Sequence, residues 1–175
     1  MENSRIATTK LLFRNAFLKL LKEKSMADIR VNELCELAGV NRSTFYRHYD
    51  NVSDLMDELI DEVFNMSLMT SSRSMSDPKN TVNYINDTLM FFRDHREYDP
   101  LISSASFTMD ILAQKLEEEM IRSLPVKNSR YPAYLIRYLV SGSYGIIRKW
   151  ITNGRREDVR EISDMILTYS SGVVK

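Results

Sequence analysis

This chain has little of what staples, punctuates or catalyses. Its one cysteine, Cys35, has no internal partner, which excludes a disulfide framework. Cys35 also falls in an apolar stripe, where a buried structural thiol is expected rather than a redox sensor. Two histidines and that single thiol, with no HExxH or CxxC spacing, supply no metal site. A Gly-rich phosphate loop and a nucleophile elbow are missing too, so the constellation of a helical enzyme is not there to be named, and no cofactor is expected. Five glycines and four prolines in 175 residues, with charged residues at 27%, argue against a sandwich or a disordered chain and for helices. No run approaches the ~18 apolar residues of a membrane span, and the opening MENSRIATTK lacks the apolar core of a signal peptide, so a cytoplasmic protein with no membrane partner is expected.

What the chain does have is charge unevenly placed. Its 24 basic and 24 acidic residues cancel. Yet residues 1–49 carry nine Lys/Arg against five Asp/Glu, and residues 50–62 carry six acids and no base. The basic end is expected to meet a polyanion and the acidic stretch to point away from it.

Inside the basic end lies RVNELCELAGVNRSTFYRHY, Arg30 to Tyr49. Val31, Leu34, Cys35 and Ala38 fall at helical offsets, so a short helix is expected over Val31–Ala38. Gly39 tolerates the left-handed conformation that stops it, and Val40 is expected as a buried peg in the turn. Asn41 is expected to cap a second helix, Arg42 to Tyr49, with its side-chain oxygen. That helix has one clear core residue, Phe45, among Arg42, Ser43, Thr44, Tyr46, Arg47 and His48. Such a surface suits the major groove of DNA. Arginine pairs bidentately with guanine, small side chains allow close approach, and hydroxyls hold phosphates. The pattern is a helix-turn-helix with the second helix as reader.

AGVNRSTFYRHY, followed by Asn51, Ser53 and Asp54-Leu55, resembles the DNA-binding signature of the TetR family of transcriptional regulators over roughly residues 6 to 60. Two positions depart from the family pattern. Arg30 stands where Thr often caps the first helix of the pair, and Val52 where Lys is usual as a phosphate contact. The resemblance implies an all-α protein of about nine helices: an N-terminal three-helix DNA-binding domain, residues 1–50, and a C-terminal helical ligand-binding and dimerisation domain, residues 51–175. It implies a long connecting helix whose shift changes the separation of two reading helices.

In chain order, a first helix is expected from Ile6 to Lys24, striped at Phe13, Ala16, Phe17, Leu20 and Leu21, with Arg5 and Lys10 as candidate phosphate contacts. Asn51 with Asp54 looks like the cap of a helix running to Thr70. Residues 71–78, SSRSMSDP, mark a loop. Helices are then expected over Pro78–Arg96, ended by Asp99-Pro100, and over Leu101–Ser104, Phe107–Leu124, Ala133–Asn153 and Glu157–Ser170.

Ser141, Gly142, Ser143 and Gly145 interrupt an otherwise bulky helix, though glycine there costs about 1 kcal/mol against alanine. Two explanations stand: close packing inside the chain, or a two-fold four-helix interface with a second copy, using Gly142, Gly145, Ile146, Trp150, Ile162, Ile166 and Tyr169. SYGIIRKWI, 143–151, resembles a TetR subgroup that includes regulators linked to dihydroxyacetone kinase genes. A ligand pocket is expected among Phe91, Phe92, Phe107, Met109, Leu112, Tyr134 and Tyr138, although each also suits plain core.

The function expected is a DNA-binding regulator, a dimer on a palindromic operator in double-stranded DNA. The resemblance implies a repressor more often than an activator, released by a small-molecule effector. Arg42, Ser43 and Arg47 are the candidate base contacts. Thr44, Tyr46, His48 and Tyr49 are candidates for phosphate or for fixing the helix, with Arg30 and Asn41 beside them. The other class in view is an adaptor or co-activator that keeps the fold but acts through a protein partner.

Overall fold

A computed structural model of the protein describes residues 2–70, 78–103, 111, 113–118 and 132–171. Among these residues the chain is all-α, with no strand. The helices are α1 (Glu2–Leu20), α2 (Val31–Ala38), α3 (Arg42–Phe45), α4 (Val52–Thr70), α5 (Pro78–Asp94), α6 (Asp99–Ser103), α7 (helical residues 113–118), α8 (Pro132–Thr152) and α9 (Val159–Ser171). Two 3₁₀ turns, Met26–Asp28 and Arg96–Tyr98, lie between them. No helix among the described residues is long and apolar enough to cross a membrane. Packing divides the chain into two compact units, Met1–Glu62 and Val63–Lys175, so the division falls inside α4 rather than ahead of it.

The first unit is built on an aromatic core. Phe13, Ala16, Phe17, Leu20 and Leu21 are buried as the stripe on α1 predicts, and Leu34, Cys35, Phe45, Tyr49, Leu55, Met56, Leu59 and Ile60 close over them. Phe13 meets Phe45 edge-on at 5.3 Å and Tyr49 at 6.2 Å, geometry that adds to simple burial. Helix α1 is displaced from its expected span, starting and stopping four residues earlier. Leu21 to Lys24 continue as turns bonded back to Phe17, Lys19 and Leu20.

In the second unit α5 packs on α9, α6 on α8, and α8 on α9. Ile136, Val140, Tyr144, Ile147, Trp150 and Ile151 form the inward face of α8. Asp99-Pro100 starts α6 instead of merely ending α5. Proline fits a first helical turn, where the missing N–H had no partner to lose. Just past the end of α8 at Thr152, Gly154 (φ 81°) and Arg155 (φ 55°) both adopt the left-handed region. A non-glycine residue there costs roughly 1–2 kcal/mol. The Arg155 guanidinium offsets that cost with two hydrogen bonds to the Asp99 carboxylate and one to Phe92 O, 2.8 Å away. It also lies 5.5 Å over the Trp150 ring, whose Nε1 donates to Glu157 O at 2.8 Å. Helix α9 starts in a reciprocal cap: Asp158 Oδ1 accepts from Glu161 N–H and Glu161 Oε2 from Asp158 N–H, both at 2.9 Å.

Candidate nucleic-acid interface

Gly39 has the left-handed backbone expected of it (φ 66°, ψ 29°). Its N–H donates to Glu36 O and that of Val40 to Cys35 O, closing α2. Val40 itself is half-buried, less of a peg than expected. Burial pushes the Cys35 thiol pKa up, an effect that the positive charge of Arg42 only partly offsets.

The second helix of the pair is shorter than expected. Helix α3 covers Arg42–Phe45 only. Arg47 N–H and His48 N–H then donate three residues back, to Thr44 O and Phe45 O, which tightens the chain toward a 3₁₀ path. The tighter path serves the core: Tyr49 comes to 5.4 Å from Phe45 and both rings are buried. Asn41 has an extended backbone, and its carbonyl accepts from Thr44 and Phe45, but its side chain makes no capping bond. The expected side-chain cap is therefore corrected to a backbone one.

Over buried Phe45, the side chains of Asn41, Arg42, Ser43, Tyr46 and Arg47 are exposed, and Thr44 and His48 half-buried. Arg47 Nη2 donates to Thr44 Oγ1 at 3.0 Å, which steadies its guanidinium. Arg30 is exposed and makes no side-chain cap on α2. Tyr49 is the exception in the candidate set. It is 4% exposed and packs against Phe13 and Phe45 rather than standing on the surface with the others. Burial, then the Glu58 carboxylate, holds the Tyr49 phenol pKa far above its ordinary value.

Two acids of α4 pair with bases of the basic end. Lys10 Nζ meets Glu58 Oε2, and Arg14 Nη1 meets Glu62 Oε1, each at 2.6 Å. Lys24 is paired with Glu33 in the same way. Lys10 is thus engaged within the unit. Among the described residues Arg30, Arg42 and Arg47 have no carboxylate partner. The sequence carried a signal for this ladder, because Lys10/Arg14 and Glu58/Glu62 share a spacing of four. The start of α4 is capped too, with the return bond shifted by one residue: Asn51 Oδ1 accepts from Asp54 N–H at 3.2 Å, and Asp54 Oδ2 from Asp50 N–H at 2.8 Å.

In the second unit the expected pocket walls separate. Phe91 and Phe92 are core, packed edge-on at 5.3 Å. Tyr134 and Tyr138 are 79% and 62% exposed, on the opposite face of α8 from Tyr144 and Ile147, and so are not interior walls. Phe107, Met109 and Leu112 lie outside the described residues. The expected interface set also divides. Trp150 and Ile162 are buried within the protomer and do not line the groove, a correction, whereas Ile166 is buried but lines the same open groove as Tyr138 and Tyr169. Gly142, Gly145 and Tyr169 are exposed and Ile146 half-buried. A Cβ built on Gly142 or Gly145 meets nothing within 4 Å, so among the described residues no other element uses the space they leave. Tyr134, Tyr138, Gly142, Ile146 and Tyr169 line one open groove of about 680 Å³. No group of three or more metal-ligating side chains occurs among the described residues.

Residues 79–172 match a TetR C-terminal family model described as "Transcriptional regulator C-terminal region". The chain is 22% identical over 167 residues, 87% of its length, to an uncharacterised HTH-type transcriptional regulator, YxbF, of Bacillus subtilis, covering 42% of that protein. It spans less than half the length of the curated relatives it matches. Its fold is similar to that of a TetR transcriptional regulator from Streptococcus agalactiae 2603V (TM-score 0.70, 21% identity, 97% of each chain). It is also similar in fold to the dihydroxyacetone kinase operon activator DhaS (TM-score 0.55, 17% identity, 94% of each chain).

Proposed function

The chain belongs to the TetR family of transcriptional regulators, and from that premise we propose that it reads a palindromic operator in double-stranded DNA as a homodimer. Arg42, Ser43 and Arg47 contact bases. Arg30, Thr44, Tyr46 and His48 contact phosphate or steady the reading helix. The observation that carries this reading is the polar outward face of α3, with Arg42 and Ser43 exposed directly beside buried Phe45. A surface-exposed arginine without a carboxylate partner is free to form the bidentate pair with guanine that discriminates one base from another. The second copy docks on the open α8–α9 groove, where exposed tyrosines and unfilled glycine space await a surface of the same kind. A small-molecule effector held in the second unit lowers the affinity for the operator, which makes the protein a repressor.

The test is selection of duplexes from a randomised pool, followed by binding of the selected and of random duplexes across a range of salt. A regulator prefers the selected duplex strongly, and both affinities fall steeply with salt. Equal binding of both duplexes, or none, ends this reading. The fold likeness to DhaS, named as an activator, gives a second reading of the sign alone. A reporter behind the selected operator separates the two: repression lowers its output and activation raises it.

A further inference from the structure

We propose that Glu58 is the positioning residue that fixes the direction of the reading helix relative to α4. This rests on the reading of α3 as the DNA-contacting element. One residue, Asp50, separates Tyr49 from the Asn51 cap of α4. The cap attaches the chain to the end of α4 at Asp54, but a single attachment leaves a hinge. Glu58, four residues further along α4, supplies the second attachment. Its Oε1 accepts from the Tyr49 hydroxyl at 3.3 Å, and its Oε2 accepts from Lys10 Nζ at 2.6 Å. Lys10 in turn lies 5.7 Å over the Tyr49 ring. One carboxylate therefore joins α1, the residue that ends the reading segment, and α4.

Packing of Phe13, Phe45 and Tyr49 holds these elements together and orients the rings, but aromatic pairs accept a broad range of distances and angles. A hydrogen bond is directional, with strength that falls steeply as its angle departs from straight. The Tyr49 side chain is buried and the bond to half-exposed Glu58 is part-buried, so losing the acceptor leaves the hydroxyl to find another. The Arg14–Glu62 pair, one turn further on, also joins α1 and α4, and the Glu62 charge reaches the Tyr49 phenol. Glu58 is the acid of α4 that accepts a hydrogen bond from the Tyr49 hydroxyl.

The experiment compares Tyr49→Phe, Glu58→Ala, Glu58→Gln and the double variant Tyr49→Phe/Glu58→Ala with the wild type. Each is measured on the selected duplex and on a random duplex of equal length, with folding followed by circular dichroism. Tyr49→Phe keeps the aromatic packing, so it remains informative should Glu58→Ala fail to fold. Tyr49→Phe and Glu58→Ala are expected to lose about tenfold in affinity for the selected duplex, the order of one misaligned base contact, and to bind random duplex as the wild type does. The double variant is expected to be no worse than the worse single one, because both break one interaction. Glu58→Gln keeps an acceptor for Tyr49 and is expected to retain the preference. Wild-type preference in Tyr49→Phe, with only a lower melting temperature, overturns the proposal. Arg42→Ala separates the two levels. Loss of preference there alongside intact Glu58 and Tyr49 variants sinks Glu58 alone, whereas no preference in the wild type sinks the DNA reading with it.

Discussion

Two faces of this molecule leave side chains in water, and their chemistry is opposite. The outward face of α3 exposes Asn41, Arg42, Ser43 and Arg47. The outward face of α8 and α9 exposes Tyr134, Tyr138, Met165 and Tyr169. The first suits a partner that stays hydrated and charged, such as the edge of a duplex with its phosphates. The second suits one that takes water away, since exposed aromatic clusters mark sites of protein association. The difference shows that exposure carries information only with the chemistry of what is exposed. It also separates the two tasks: a change in one face should leave the other's task intact until dimerisation couples them.

The largest effect should come from the buried pair behind the α8–α9 turn, away from both faces. Asp99→Asn leaves the Arg155 guanidinium, 5% exposed, buried without its counter-charge. It is expected to cost about 3 kcal/mol in urea unfolding, as breaking a buried pair does. The comparison breaks if this variant loses operator preference while remaining folded. Next, Tyr138→Arg on the groove is expected to weaken self-association by at least about 2 kcal/mol, read by sedimentation over a range of concentrations. An unchanged dimer would remove the groove as its interface. Arg42→Ala is expected to cost about 1–3 kcal/mol on the selected duplex and to relax base preference at one position, leaving the dimer as it was. Equal loss on random DNA would make Arg42 a phosphate anchor instead. Gly142→Ala fills open space in the protomer, so it should stabilise the isolated chain by up to about 1 kcal/mol and weaken the dimer. A gain in both would show that no backbone approaches there.

The smallest effect, absent near neutral pH, concerns Tyr49 and Tyr144. Burial raises the pKa of both phenols above the ordinary value near 10. Above that pH the unfolded chain releases these protons while the folded one keeps them, so stability falls as pH rises. Tyr49→Phe should flatten part of that alkaline decline in urea unfolding, and an unchanged slope would mean that Tyr49 titrates normally.

Helix existence was legible in the chain because apolar period and capping residues speak locally. Gly39, and the pairing of Asn51 with Asp54, did what their chemistry predicts. The capping pair Asp158 and Glu161 carried the same signal and places the start of α9 at Val159 rather than Glu157. What could not be read was direction. Trp150 and Tyr138 share a helix and a hydrophobic character, yet one is buried and the other exposed, because the tertiary neighbours choose the face. Asp99-Pro100 reads equally as a stop for one helix or a start for the next, and only the Arg155 guanidinium decides it. In the candidate interface the exposed reading residues follow from a polar surface around one phenylalanine. The burial of Tyr49 does not, since a tyrosine beside a histidine and an aspartate gives no local sign of lying inside.

The brevity of α3 has a consequence for how the protein responds to heat. Four helical residues cannot hold their shape alone, because isolated helices shorter than about 12–15 residues are marginal in water. A synthetic peptide of residues 30–49 would be a fluctuating coil, and its contour is lent to it by Phe13, which packs on Phe45 and Tyr49, and by Glu58, which holds the Tyr49 hydroxyl. If α3 reads DNA as proposed, recognition is expected to switch off over the same few degrees in which the amino-terminal bundle melts, a thermal ceiling set by the scaffold rather than by the contact residues.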